Sequence, residues 1–183
     1  FDRCFFFDET GAFIGGEYVL SLLATSFLDK NPGSNIIHDP RVIWNVQDIV
    51  TSKGGKAIQS KTGHAFIKQA MRQTEAIYGG EMSAHHYFKG FAYCDSGMVP
   101  WLLIMELLST TGMPLSKLVK EQSEAFPSSG ENNFTVENAD AAIETVLQKY
   151  KPDALSIDET DGVSLSFDTW RFNLRKSNNE PLV

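Results

Sequence analysis

Ala57-Ile58-Gln59-Ser60-Lys61-Thr62-Gly63-His64-Ala65-Phe66-Ile67-Lys68-Gln69-Ala70-Met71-Arg72-Gln73-Thr74-Glu75-Ala76-Ile77-Tyr78 is the stretch on which the fold turns. Ala57–Gln59 reads as a short strand, Lys61–His64 as a polar loop, Ala65–Glu75 as a helix and Ile77–Tyr78 as the next strand. A strand, a crossover helix and a second strand form the unit from which parallel sheets are assembled. The pattern continues on both sides. Ile36–His38 is a strand, and Arg41–Lys53 is a helix that ends at Gly54-Gly55, since glycine is favoured just past a helix end. Tyr87–Phe91 is a further strand, Asp95 or Ser96 caps an apolar helix after it, and Pro114 opens a helix that runs to Phe126. The expected class is α/β with a mixed, mostly parallel sheet.

The flanks read differently. Cys4–Phe7, the turn Asp8-Glu9-Thr10-Gly11 and the Gly15-Gly16 pair lead into a helix from Glu17 to Leu28, where Val19, Leu22, Leu23 and Phe27 recur at helical intervals. A polar linker, Asp29 to Asn35, follows. Beyond Pro127-Ser128-Ser129-Gly130 come a short strand at Phe134–Val136 and an amphipathic helix, Ala139–Tyr150. A hairpin of Leu155–Ile157 with Val163–Phe167 and a strand at Trp170–Leu174 complete an α+β pattern with antiparallel pairing. The divisions expected are 1–34, the end of one α/β domain; 35–130, a complete α/β domain; and 131–183, an α+β domain cut short. The chain begins without methionine and both ends meet apolar runs, so each end reads as a cut through a folded domain. Phe5–Phe7 and Met98–Leu108 are expected in the core.

Bulk properties narrow the function. The 183 residues carry a net charge of −7, which argues against a general binder of nucleic acid or of membrane surfaces, both of which rely on basic patches. Met98–Leu108 is too short and holds Glu106, whereas a membrane helix needs roughly 20 apolar residues. Two distant cysteines, Cys4 and Cys94, suit thiols in a reducing cytoplasm rather than a disulfide scaffold.

Four loops concentrate polar chemistry. Asp2-Arg3 is an acid beside a base. Lys61-Thr62-Gly63-His64 lies where backbone amides at a helix start favour an anion, and His64 can move a proton near neutral pH. In Gly79-Gly80-Glu81-Met82-Ser83-Ala84-His85-His86, Glu81 and Ser83 offer groups suited to sugar hydroxyls. His85 and His86 are neighbours on a strand and so face opposite sides, which disfavours a shared zinc ion. In Arg175-Lys176-Ser177-Asn178-Asn179-Glu180-Pro181 the arginine can grip a phosphate with two parallel bonds. Taken one at a time, Asp2-Arg3 reads first as a surface ion pair, and Lys61–His64 and Arg175–Pro181 read first as ordinary solvated turns. No nucleotide-binding or serine-nucleophile motif is present in the sequence.

Together, in order and spacing, these loops and Asp39-Pro40-Arg41 and Tyr93-Cys94-Asp95-Ser96-Gly97 resemble the α-D-phosphohexomutase family of phosphomannomutases and phosphoglucomutases. The resemblance implies four domains around a cleft, with a phosphoserine in the first domain that none of these residues matches. It implies Mg2+ held by three aspartates, of which Asp2 matches the third, with Arg3 after it. Glu81 and Ser83 match the residues that hold the sugar hydroxyls at positions 3 and 4. Arg41, His64 and His85 match polar residues around the sugar, with catalytic work expected of His64, His85 and Arg3. Arg175, Ser177, Asn178 and Asn179 match the loop that anchors the phosphate not being transferred, although most members have threonine where Asn179 stands. The expected ligand is a mannose or glucose 1- or 6-phosphate, in carbohydrate metabolism leading to GDP-mannose. Met82 resembles phosphomannomutases and dual-specificity members. Phosphoglucomutase, phosphoglucosamine mutase and a non-catalytic phosphosugar-binding module are the alternatives, and oligomeric state is left open.

Overall fold

Alternation along Asn35–His38 (β3) sends Ile36 and Ile37 to opposite faces, and both are fully buried, so helices must cover this sheet on two sides. The computed structural model describes residues 2–177 and 180–183. It divides the chain into two compact units, Phe1–Ser128 and Ser129–Val183.

The first unit is built on a five-stranded sheet. Its order is Lys56–Gln59 (β4), β3, Tyr78–Gly80 (β5), His86–Phe88 (β6) and Cys94–Asp95 (β7). The pairs β4–β3 and β3–β5 are parallel; β5–β6 and β6–β7 are antiparallel. On the Ile36 face pack Gly16–Lys30 (α1), Trp44–Ser52 (α2), Met98–Thr111 (α4) and Leu115–Ala125 (α5), with Leu20, Leu23, Val46, Val50 and Ile104 at the centre. On the Ile37 face His64–Thr74 (α3) places Ile67 and Met71 against Tyr87. The hairpin of Phe6–Phe7 (β1) with Phe13–Ile14 (β2) turns Phe6 and Ile14 into the larger core.

Local chemistry sets where the elements start and stop. The helix expected from Arg41 starts at Trp44, because Asp39 takes the Arg41 N–H at 2.8 Å and its carbonyl takes the Val42 N–H, which makes a turn first. Of the two capping candidates, Ser96 serves α4, accepting from the N–H groups of Met98 and Val99, while Asp95 pairs with Lys68 at 2.7 Å. Gly112, at φ 64, closes that helix. The strand expected over Tyr87–Phe91 ends at Phe88, and Ala92 and Tyr93, both at positive φ, reverse the chain so that β7 can pair.

Two expectations about the core are corrected. Met98–Leu108 is not a buried helix: only Pro100 and Ile104 of α4 are buried, while Trp101 is 47% and Leu102 56% exposed. The helix is apolar on every side, yet neighbours cover one side alone. Phe5 and Phe7 are likewise exposed; strand alternation buries Phe6 and leaves the flanking rings clustered with Phe13 outside.

The second unit holds Ala139–Tyr150 (α6), capped by Asn138, and the antiparallel strands Ser156–Asp158 (β8), Val163–Ser166 (β9) and Arg171–Leu174 (β10), ordered β10-β9-β8. Leu165 is fully buried, and Tyr150, Phe167, Trp170 and Phe172 form a ring cluster. Phe134–Val136 makes no ladder strand; Thr135 forms a single bridge with Leu182.

Candidate functional site

Three parallel strands release their loops at one edge of the first unit's sheet: β3 into Asp39–Arg41, β4 into Lys61–Gly63, β5 into Glu81–Ser83. The carboxyl edge of such a sheet is where open α/β folds place ligands. Two buried carboxylates tie the loops together. Asp39 is wholly buried; its Oδ2 accepts from Arg41 Nη2 at 2.6 Å and from the Met82 N–H at 2.9 Å, and its Oδ1 takes the Arg41 N–H. Glu81 is 2% exposed, and its Oε1 accepts the Gly63 N–H. Its Oε2 takes Tyr87 OH at 3.2 Å and Ser83 Oγ at 3.4 Å, and lies 3.3 Å from His85 Nδ1. Glu81 therefore joins the loop after β4 to the loop after β5.

His85 lies between acids. Its Nδ1 meets Glu81 and Ser83 Oγ, and its Nε2 is 3.5 Å from Asp2 Oδ2. The Asp2–Cys4 segment runs antiparallel to this stretch through an Arg3–His85 bridge and a Cys4 N–H to Ala84 carbonyl bond. The hydrogen bond to Glu81 raises the His85 pKa, against the opposing effect of burial. For Glu81, burial pushes the carboxyl up, but His85, the Gly63 N–H and the Tyr87 hydroxyl outweigh it and hold the group below its ordinary value. Burial lowers His86 to about 3, so that ring is neutral; its Nδ1 is 2.7 Å from Tyr78 OH. The two histidines thus face apart and share no ligand position.

Asp2, His85 and Asp95 each bring a ligand atom within 4.8 Å of the others. They do not form a magnesium cage. Magnesium needs near-octahedral oxygen ligands at about 2.0–2.1 Å, whereas Asp95 is engaged by Lys68 and one corner is an imidazole.

The remaining candidates fall as follows. His64 is exposed at the first residue of α3, beside Gly63 at φ 116. Arg41 and Ser83 are partly exposed at the sheet edge, and Arg3 is exposed. In the second unit Arg175 is partly buried, 3.6 Å from Asp161, and Ser177 Oγ accepts the Glu180 N–H. Asn178 and Asn179 lie outside the described residues. Sequence reasoning missed Asp39 and Tyr87 as supports. The signal for Asp39 was available: Pro40 has no N–H, so an aspartate ending a strand there bonds forward to Arg41. Tyr87 carried no such signal, because its bond to Glu81 follows from the β5–β6 register.

Fold and site define a three-layer α/β protein with a polar, histidine-bearing site at the carboxyl edge of its sheet. Comparison with known proteins gives the family. Residues 15–126 match the family described as phosphoglucomutase/phosphomannomutase, alpha/beta/alpha domain III. The chain is 58% identical over its full 183 residues to a phosphomannomutase of Escherichia coli K12, covering 40% of that protein. It is 55% identical to phosphohexose mutases of Xanthomonas campestris, covering 41%. A crystal structure of a phosphoglucomutase/phosphomannomutase family protein from Burkholderia thailandensis superposes with a TM-score of 0.81 at 26% identity, over 99% of this chain and 39% of that one. This chain belongs to the phosphoglucomutase/phosphomannomutase family. It spans about two fifths of the length of these relatives.

Proposed function

We propose that this chain is part of a phosphomannomutase and supplies its sugar-reading loops, in an enzyme interconverting mannose 6-phosphate and mannose 1-phosphate through a phosphoserine and a bisphosphorylated intermediate. The observation that carries this reading is the Glu81-Met82-Ser83 turn, set at the carboxyl edge of the sheet beside Arg41 and His85. Ser83 and Arg41 are placed to meet sugar hydroxyls and phosphate oxygens, and the hydrogen bond to Glu81 raises the His85 pKa, which favours the protonated ring and suits it to an anionic ligand. Glu81 receives hydroxyls only by exchanging some of its internal donors. Arg175, Ser177, Asn178 and Asn179 anchor the phosphate that is not transferred. In the intact enzyme Asp2 would be one ligand of a Mg2+ ion, which would supply charge neutralisation at the phosphoryl group, and Arg3 and His64 would flank the reacting centre. Identity of 58% across the whole chain to a phosphomannomutase supports mannose over glucose.

Two measurements test this. A polypeptide of these 183 residues should bind mannose 1-phosphate without turning it over, because none of its residues matches the phosphoserine; measurable turnover contradicts the assignment. In a family-length enzyme carrying this chain, kcat/KM should favour mannose phosphates. A preference for glucose or glucosamine phosphates would make it the corresponding mutase, and binding without turnover at that length would make it a phosphosugar-binding module.

A further inference from the structure

Met82 stands between the two residues assigned to the sugar hydroxyls, and its peptide is gripped on both sides. Its N–H donates to Asp39 Oδ2 at 2.9 Å. On the other side, the first residue of α1 is a buried glycine, and a Cβ on Gly16 would overlap the Met82 carbonyl oxygen. The grip extends further. The Asp39 oxygen that holds Met82 also holds the Arg41 guanidinium at 2.6 Å, and Ala84, at φ 65, closes the turn. A charged carboxylate is expensive to bury unless it is paired, and a hydrophobic residue of similar volume would fill the space without that cost. Asp39 is nevertheless wholly buried at the point where the Arg41 and Ser83 loops meet. Alanine is a better helix former than glycine, so nothing in α1 itself calls for glycine at position 16; contact with the Met82 oxygen does.

We propose that Asp39 and Gly16 are positioning residues that clamp the Met82 peptide and thereby fix where Ser83 and Glu81 are presented relative to Arg41. The proposal rests on the sugar-phosphate reading above. Asp39 holds the turn by its N–H, and Gly16 sets how far its carbonyl can approach α1. Neither touches the ligand.

The test uses the 15N-labelled 183-residue chain with mannose 1-phosphate as the probe, followed through the Ser83 and His85 amides. Gly16→Ala and Asp39→Asn should each weaken binding about tenfold. Val50→Ala, a core change on α2, should lower the Tm while leaving affinity unchanged. Ser83→Ala, which removes one hydrogen bond worth about tenfold, should cost less than about twofold in the Gly16→Ala background, since a displaced Ser83 contributes little; such non-additivity marks coupled residues. Wild-type affinity in Gly16→Ala, or strictly additive losses, would overturn the proposal. If the wild-type chain shows no response to the sugar phosphate, the functional reading fails and the sugar-free spectra decide the clamp. An upfield move and faster hydrogen exchange of the Met82 amide in Asp39→Asn and Gly16→Ala support it, and an unmoved Met82 amide sinks it.

Discussion

His85 couples the titration of this site to its stability. Its folded pKa is raised, so the stabilisation it provides is complete below its unfolded value of about 6.5 and is lost as pH rises through the folded value. Glu81 has the opposite sign: its folded pKa is depressed, so its contribution is present above about 4.3 and is lost as pH falls through the folded value. The pair therefore stabilises most between about pH 5 and 6.5. Thermal melts of His85→Gln should fall furthest below wild type in that window, and the gap should narrow at alkaline pH; a constant gap would contradict the pairing. Glu81→Ala should cost about 1–3 kcal/mol in urea unfolding, because it strands the Gly63 N–H and the Tyr87 hydroxyl. Arg175→Ala should weaken sugar-phosphate binding in a family-length enzyme by about 1.5–3 kcal/mol, the range for a charged hydrogen bond, and an unchanged KM would remove Arg175 from the site. Glu81 and Ser83 stood out in the sequence as candidates by side-chain chemistry, and His85 through the family resemblance. That Glu81 is engaged by protein donors was not legible, because Gly63 and Tyr87 reach it through the sheet.

At the scale of elements, capping and strand alternation did most of the work. Ser96 satisfies two N–H groups at the start of α4, and Ser96→Ala should destabilise the chain by about 1 kcal/mol in denaturant titration. The strand–helix alternation from Asn35 to Gly80 was readable because each crossover carries its own turn chemistry. The start of α2 was not, since a periodic pattern extends back to Arg41 while a side chain, Asp39, decides that the backbone turns first. Burial of α4 was also misjudged from its composition. An apolar run shows that a helix avoids water somewhere; which sides are covered depends on the neighbours it meets. None of the described helices is by itself long and apolar enough to cross a membrane.

At the scale of the molecule, each unit has its own buried residues. Both core clusters of the first unit lie wholly within residues 1–128, and the second unit packs Leu165 and four aromatic rings. A chain of residues 1–128 should unfold in one cooperative transition and keep the His85 titration, as checked by urea melts and NMR. A molten first unit would show that its stability is borrowed. The sequence alone determined the α/β alternation, the antiparallel character after residue 130 and the set of loops with ligand chemistry, because propensity, turn residues and side-chain type are local properties. Only the tertiary structure decided that two of those loops meet the Asp39–Arg41 loop at one sheet edge, that buried Asp39 and Glu81 lock them together and that half of α4 is bare. Those outcomes depend on strand order, register and packing between residues distant along the chain, which no local pattern encodes.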